Sequence, residues 1–581
     1  MKTAIIYCES NHQVPPLMRG EKILKKGSIN GEGNYPLPCD IRLLKDVEMH
    51  VSDGTKLYAD IFLPVTDEKV PAIIQWCPYN KEIHNIPFPW FVSPDRLSGL
   101  QRFEGLDPGF WVEKGYAIIH PNARGAGNSE GDIYQWGNGE AKDAYDFIEW
   151  TAGQDWCNGK VAMSGSSWLT IIQWYTAALR PPHLAAISPW EGHFDGYADS
   201  TFRGGICTAG QARIVFEKMV SGLSRYESVP DMAEKYPLKN NDYWDDKVAK
   251  VENIDIPAYI VASYTNSTHT VGTFNAWEKV GTEKKWFRVH NTHEWNDLYS
   301  HQPELLKFFD HYLKNIDNDW EETPYVRISV LDPGGEDVID RVEQEFPLPR
   351  TQYEKLYLNA AEDKTFIAVR DFAEKAKNEV HYAYGLAAMA LKDAKGYGLD
   401  DAKAETESKA TYANGSSCAF IHTFEKDTEL TGFMKLHLWA QAEDSDDMDV
   451  FLHVIKLDKD GNPLVPLVIG ATDSGPFGKP FFGPFGGLRL SMRHTDPEKS
   501  TDYKPYLTYD RVEKPGQQTP VCADIPLSPM GMKYKTGESV CVIISSIPMD
   551  LPPQGAETIN NGSFSILTGG SYDSYLQIPV V

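Results

Sequence analysis

The chain has 581 residues, 41% hydrophobic and 24% charged, with 82 acidic against 56 basic side chains and a formal net charge of −26. That length exceeds what one hydrophobic core supports and points to two or three domains, while the excess of acid argues against binding nucleic acid through its phosphates. No stretch reaches the roughly 20 apolar residues of a membrane helix, and Met1 to Glu9 is too short and too weakly basic for a secretion signal, so a cytoplasmic protein away from the membrane is expected.

Residues 1–44 show little periodicity and read as an N-terminal extension. From Leu43 to Val65 hydrophobicity alternates, as in Lys56-Leu57-Tyr58-Ala59-Asp60-Ile61-Phe62-Leu63, which predicts an early hairpin. Short apolar runs suited to buried parallel strands then alternate with helical stretches: Ala72–Trp76, Tyr116–His120, Val161–Ser164, Ala185–Ser188 and Ala258–Ala262, with a helix over Glu140–Gly153. This is a doubly wound α/β pattern, with a first core part over 45–190 and a second over 254–350, closed by an amphipathic helix at Pro303–Asn315. Between the two parts, 191–253 carries helix-like sequence without a convincing strand and reads as a helical cap. From 351 to 581 the pattern is all-β, clearest in Met434–Ala440 and Val450–Ile455, with a turn signal at Asp460-Gly461 and a Gly/Pro/Phe loop at Gly475–Gly487; a β-sandwich fits best.

The sharpest local motif is Val161-Ala162-Met163-Ser164-Gly165-Ser166-Ser167-Trp168-Leu169, an apolar strand leading through Gly-x-Ser into a helix over Ile171–Leu179. A sharp strand-to-helix turn lifts a serine hydroxyl above the sheet edge, with the next N–H facing developing negative charge. Leu169 stands where this elbow usually has its second glycine, so the motif alone also fits a serine-rich turn opening a helix.

Further segments appear in an order that resembles the cocaine-esterase and X-prolyl dipeptidyl-peptidase family of α/β-hydrolases. They are Trp76-Cys77-Pro78-Tyr79-Asn80-Lys81, Asn122-Ala123-Arg124-Gly125-Ala126-Gly127-Asn128-Ser129-Glu130-Gly131, the elbow, Thr323-Pro324-Tyr325-Val326-Arg327, Leu488-Arg489-Leu490-Ser491-Met492-Arg493 and Tyr575-Leu576-Gln577-Ile578-Pro579. The resemblance spans about 45 to 581 and implies an α/β-hydrolase core with a helical cap insertion, followed by a C-terminal β-sandwich of jelly-roll type. It implies Ser167 as nucleophile and an oxyanion hole of the Tyr79 hydroxyl and the Trp168 N–H; without it, Tyr79 would be read as an ordinary core or loop tyrosine. It also implies a histidine base beyond the last core strands, where Val289-His290-Asn291-Thr292-His293 offers two; His293 matches the family position and His290 falls on the strand. At the usual acid position the sequence departs from the family, with Asn266 ending Val261-Ala262-Ser263-Tyr264-Thr265-Asn266. Glu191, at the end of the preceding sheet strand, is a substitute acid able to reach the same histidine, or else a carboxylate at the cap hinge; Asp195 is a third candidate.

The expected chemistry is acyl transfer from a small-molecule ester, an amide or a short peptide, through an acyl-enzyme on Ser167 and with no cofactor. An esterase is the main reading. An X-prolyl dipeptidyl-peptidase-like enzyme and a hydrolase fold impaired by Asn266 and kept for binding are the alternatives, and association as a homodimer is left open. The Gly125–Gly131 run does not fit a dinucleotide fingerprint, and His290-x-x-His293-Glu294 fits no zinc-protease motif, so no metal is expected. Eight cysteines at 8, 39, 77, 157, 207, 418, 522 and 541 lack any CxxC spacing and read mostly as free, buried thiols.

Overall fold

The computed structural model describes residues 3–81, 92–364, 394–465, 467–469, 478–549 and 558–581. An 11-stranded sheet organises the first part of the chain. Its strands are β1 (Gly20–Leu24), β2 (Ile41–His50), β3 (Lys56–Pro64), β4 (Val70–Ile74), β5 (Ala117–Asn122), β6 (Cys157–Ser166), β7 (Leu184–Trp190), β8 (Ala258–Ser263), β9 (Lys285–His290), β10 (Val326–Val330) and β11 (Val338–Glu343). They lie in the order β11-β10-β9-β8-β7-β6-β4-β5-β3-β2-β1, parallel from β10 through β5 and antiparallel at both ends.

The continuous apolar runs follow from burial on both faces. In β6, Val161 and Met163 join one core cluster and Ala162 the other; in β4, Ala72 and Ile74 face the first and Ile73 the second. Helices α1 (Asn138–Ala152) and α2 (Trp168–Ala178) cover the first face, and α5 (Gln302–Lys314) packs Leu305, Phe308, Phe309 and Leu313 on the second. Between β8 and α5 lie α3 (Thr270–Lys279), which leaves the sheet after β8, and α4 (Glu294–Ser300), which follows β9.

The N-terminal extension is more structured than its weak periodicity predicts. Gly20–Leu24 extends the sheet as its edge strand, and Tyr7–Glu9 pairs antiparallel with Arg225–Glu227 of the cap segment. The cap carries a helix at Gly210–Met219 and shorter ones at Val229–Lys235 and Asp242–Asp246, but it also holds the short strand pair Phe202–Arg203 with Ile206–Cys207. Strands of two or three residues are too short to display a period-2 pattern.

A 12-stranded sheet forms the C-terminal part. Its main strands include β12 (Gln352–Lys364), β13 (Thr428–Ala442), β14 (Asp449–Leu457), β15 (Val521–Tyr534), β16 (Ser539–Ser545) and β17 (Tyr575–Val580). The sheet closes because β17 pairs with both β12 and β13. On β13, Met434, Leu436, Leu438 and Ala440 are buried while Lys435, His437 and Trp439 stay on the outer face, which is the alternation the sequence displays. Residues 475–477 of the Gly475–Gly487 loop lie outside the described residues, and its end enters a strand at Phe485–Arg489. The sandwich meets the cap through Arg489, whose N–H donates to the Gly204 carbonyl at 2.8 Å.

Candidate active site

Five adjacent strands, β4, β6, β7, β8 and β9, bring their C-terminal ends to one edge of the sheet, where open α/β sheets hold their ligands. They present Tyr79, Ser167, Glu191, Asn266 with His269, and His290 with His293, respectively.

Ser167 caps α2 with φ 57° and ψ −117°, a strained elbow conformation that projects its hydroxyl. Leu169 in place of a glycine is accommodated from below: a Cβ on Gly165 would lie 2.5 Å from Leu169 Cδ2, so the missing side chain at 165 makes room for the leucine. Gly192 acts likewise on the other flank, where a Cβ would meet Thr170 Cγ2 at 2.5 Å.

The imidazole on the nucleophile is that of His269, whose Nε2 lies 2.9 Å from Ser167 Oγ. This corrects the expectation that His293 faces Ser167. His293 instead caps α4: its Nδ1 accepts the Trp295 N–H at 3.3 Å and lies 3.3 Å from Glu294 Oε2, and its ring rests on Trp295 with centroids 4.8 Å apart. His269 precedes the last core strands, whereas the family pattern places the histidine base beyond them. The signal that marks it is local, a polar Asn266-Ser267-Thr268-His269 turn between a buried strand and a helix.

Asn266 shapes that turn. Its Oδ1 accepts the N–H groups of Thr268 (3.0 Å) and His269 (3.2 Å), and its carbonyl accepts that of Thr270 (2.9 Å). An amide at the usual acid position therefore orients the backbone that carries the imidazole.

Glu191 does not reach His293 either, which corrects the second expectation. Buried and at φ 58°, it places Oε1 2.5 Å from His290 Nε2 and accepts from Ser263 Oγ at 3.3 Å. Beneath it Arg288 pairs with Asp297, so a buried guanidinium and a buried imidazole face two buried carboxyl groups. Burial disfavours the His290 cation, but Asp297 and Glu191 outweigh it and hold its pKa above the ordinary histidine value. Asp195, the third acid candidate, caps the turn at Tyr197–Ala198 and pairs with Lys239.

Tyr79 is fully packed, edge-on to Phe103 and Trp168, and its phenol lies toward Ser167. Burial pushes its pKa well above the ordinary value, so it remains a neutral donor. The Trp76–Lys81 motif holds it there. Arg102 donates to the carbonyls of Gln75, Pro121 and Tyr79, Lys81 is buried against Asp46 (2.7 Å) and Asp60 (2.9 Å), and Glu140 accepts from the indoles of Trp76 (3.0 Å) and Trp168 (3.1 Å).

Two more buried groups adjoin the nucleophile. Glu104, at φ 63°, accepts from Trp295 Nε1 at 3.3 Å, its carbonyl accepts the Ser166 N–H, and burial raises its pKa well above the usual carboxylate value. His193 stacks on His269 with ring centroids 6.1 Å apart, and burial lowers its pKa to about 3. A neutral neighbour does not repel a cation forming on His269. Beside Ser267 and Thr268 opens a cavity of about 490 Å³ between cap, α3 and sandwich, lined among others by Phe194, Val271, Phe433, Tyr503, Tyr506 and Lys279.

A strained serine between a parallel strand and a helix, with an imidazole on its hydroxyl, defines an α/β-hydrolase of the serine class. The profile of the X-Pro dipeptidyl-peptidase (S15) family matches residues 53–296, and that of the X-Pro dipeptidyl-peptidase C-terminal non-catalytic domain matches 318–577. A solved CocE/NonD family hydrolase from Staphylococcus aureus is similar at TM-score 0.81 and 30% identity, over 98% of this chain and 99% of that one. Cocaine esterase of Rhodococcus sp. is 28% identical over 208 residues, 35% of this chain and 33% of that protein. A putative Xaa-Pro dipeptidyl-peptidase of Bacillus anthracis is 24% identical over 330 residues, 48% of this chain and 53% of that protein. The chain thus spans a third to about half the length of these two curated relatives. It belongs to the CocE/NonD family of hydrolases.

Proposed function

We propose that this chain hydrolyses a carboxylic ester or amide through an acyl-enzyme on Ser167. The observation that carries the reading is the 2.9 Å approach of His269 Nε2 to the hydroxyl of a strained elbow serine. Ser167 attacks the carbonyl carbon as its proton passes to His269, the imidazolium returns the proton to the leaving alkoxide or amine, and water repeats the cycle on the acyl-enzyme. The Tyr79 hydroxyl and the Trp168 N–H, at the positive end of α2, stabilise the oxyanion. The aromatic lining of the adjoining cavity favours a substrate with an apolar substituent. No helix of the described residues is long and apolar enough to cross a membrane, and eight cysteines without a disulfide suit a reducing cytoplasm.

Asp199 favours a second reading, a substrate that carries a free amine, in line with a dipeptidyl-peptidase-like activity. It lines the cavity, its Oδ2 has no hydrogen-bond partner among the described residues, and burial beside Asp195 raises its pKa to about 6, so a bound cation would relieve it. Asp199→Asn raising KM for aminoacyl esters but not for simple acyl esters supports this reading; equal effects on both reject it.

The test of the main reading is fluorophosphonate labelling with p-nitrophenyl ester turnover. Labelling and turnover of the natural chain, both lost in Ser167→Ala, are expected; labelling that survives the substitution overturns the assignment of the nucleophile.

A further inference from the structure

On the outer face of the sandwich, remote in sequence from the hydrolase elements, a thiol, an imidazole and two carboxylates converge. His437 on β13 lies opposite Asp524 on β15 and Tyr575 on β17, and Trp439 lies opposite Cys522, so cross-strand register puts all five on one face. His437 Nδ1 is 2.7 Å from Asp524 Oδ1, and its Nε2 is 3.2 Å from Cys522 Sγ. Asp573 Oδ1 lies 3.5 Å from the same Nε2 and accepts from Trp439 Nε1 at 3.0 Å. The Tyr575 ring stacks on the imidazole at 4.7 Å; Lys435 stands 3.8 Å from Asp524, and Lys355 lies over Tyr575 at 4.3 Å.

The arrangement repeats the order nucleophile, imidazole, carboxylate that activates a thiol. Burial works against the His437 cation, yet Asp524 and Cys522 together raise its pKa to about 10, so an imidazolium formed there persists through neutral pH. Cys522 is partly exposed, whereas Cys77, Cys157, Cys418 and Cys541 are buried and their thiols are pushed up by desolvation.

We propose that Cys522 is a nucleophilic thiol, held as a thiolate by the His437 imidazolium that Asp524 supports, and that it is reversibly modified by exchange with small-molecule disulfides. The Cys522 proton leaves to solvent, Sγ attacks one sulfur of the disulfide, the new Cys522 S–S bond forms as the old S–S bond breaks, and the departing thiolate takes a proton from solvent while the imidazolium stays charged. One thiol and one disulfide become one mixed disulfide and one thiol, with no other oxidant.

The experiment uses the full chain, iodoacetamide and peptide mapping. An unassisted thiol alkylates about 80-fold more slowly at about pH 6 than at pH 8, following its thiolate fraction; Cys522 is expected to change by less than about threefold. His437→Gln should restore the steep dependence and Asp524→Asn a partial one, with ester turnover retained as the check on folding. Oxidised glutathione should add one glutathione to Cys522, removable by dithiothreitol. A steep, unassisted profile at Cys522 in the natural chain, or a profile unchanged by His437→Gln, overturns the proposal; neither outcome bears on Ser167.

Discussion

The backbone N–H of Ser167 donates to the carbonyl of Glu191 at 2.9 Å, and both residues sit at positive φ, 57° and 58°. Two strained residues at the ends of neighbouring parallel strands are thus tied to each other, and the Glu191 side chain continues the tie into the next strands through His290 and Ser263. The nucleophile's conformation is supported by a buried charge pair two strands wide.

Glu191→Gln removes the carboxyl group that favours the charged form of the buried His290, for which a loss of about 3 kcal/mol in stability is expected. Because Glu191 engages His290 rather than His269, the folded fraction should keep turnover within about tenfold, unlike loss of a triad acid. Denaturant unfolding and active-site titration with a fluorophosphonate separate the two effects; a large drop in turnover per folded molecule makes Glu191 the triad acid after all.

His269→Gln should lower kcat by about 10³-fold, the range for removing a general base, whereas His293→Gln should stay within about tenfold because that ring serves to cap α4. Steady-state kinetics of the two variants side by side decide between the histidines. The opposite ranking returns the base to His293.

Asn266→Ala removes the acceptor for two N–H groups in the turn that carries His269, and Asn266→Asp keeps it. The alanine variant is expected to lose more than tenfold in kcat and the aspartate variant to equal or exceed the natural chain, since a carboxylate also stabilises an imidazolium nearby. If the alanine variant is as active as the natural chain, the turn does not depend on Asn266.

Tyr79→Phe takes one donor from the oxyanion and leaves the ring packing intact, so kcat should fall by about 10²-fold with KM little changed. A change confined to KM would assign Tyr79 to substrate binding.

Burial keeps the Glu104 carboxyl neutral to higher pH than an ordinary carboxylic acid, and it becomes an anion as pH rises through its elevated pKa. That anion would stand near the place where negative charge develops on the substrate, and the rate should fall on the alkaline side. Glu104→Gln cannot ionise and should flatten that fall in a pH–kcat profile. An alkaline limb identical in both proteins assigns it to another group.

The sequence by itself determined the parallel core strands, the strand-to-helix turn at Ser167 and the alternation of β13, because buried strands, strand-to-helix turns and half-buried sheets each impose a local pattern of residue types, whereas Tyr79 was marked only by the family resemblance. The tertiary structure alone decided which imidazole meets the nucleophile. His269 and His293 both follow strand ends at the same sheet edge, and only the geometry of the Asn266 turn and the start of α4 directs one ring to Ser167 and the other to Trp295. The Glu191–His290 pair, separated by 99 residues, and the Cys522–His437 contact, separated by 85, depend likewise on strand order and register. Periodicity states which face a side chain takes; which neighbour it meets there is set by how the chain returns.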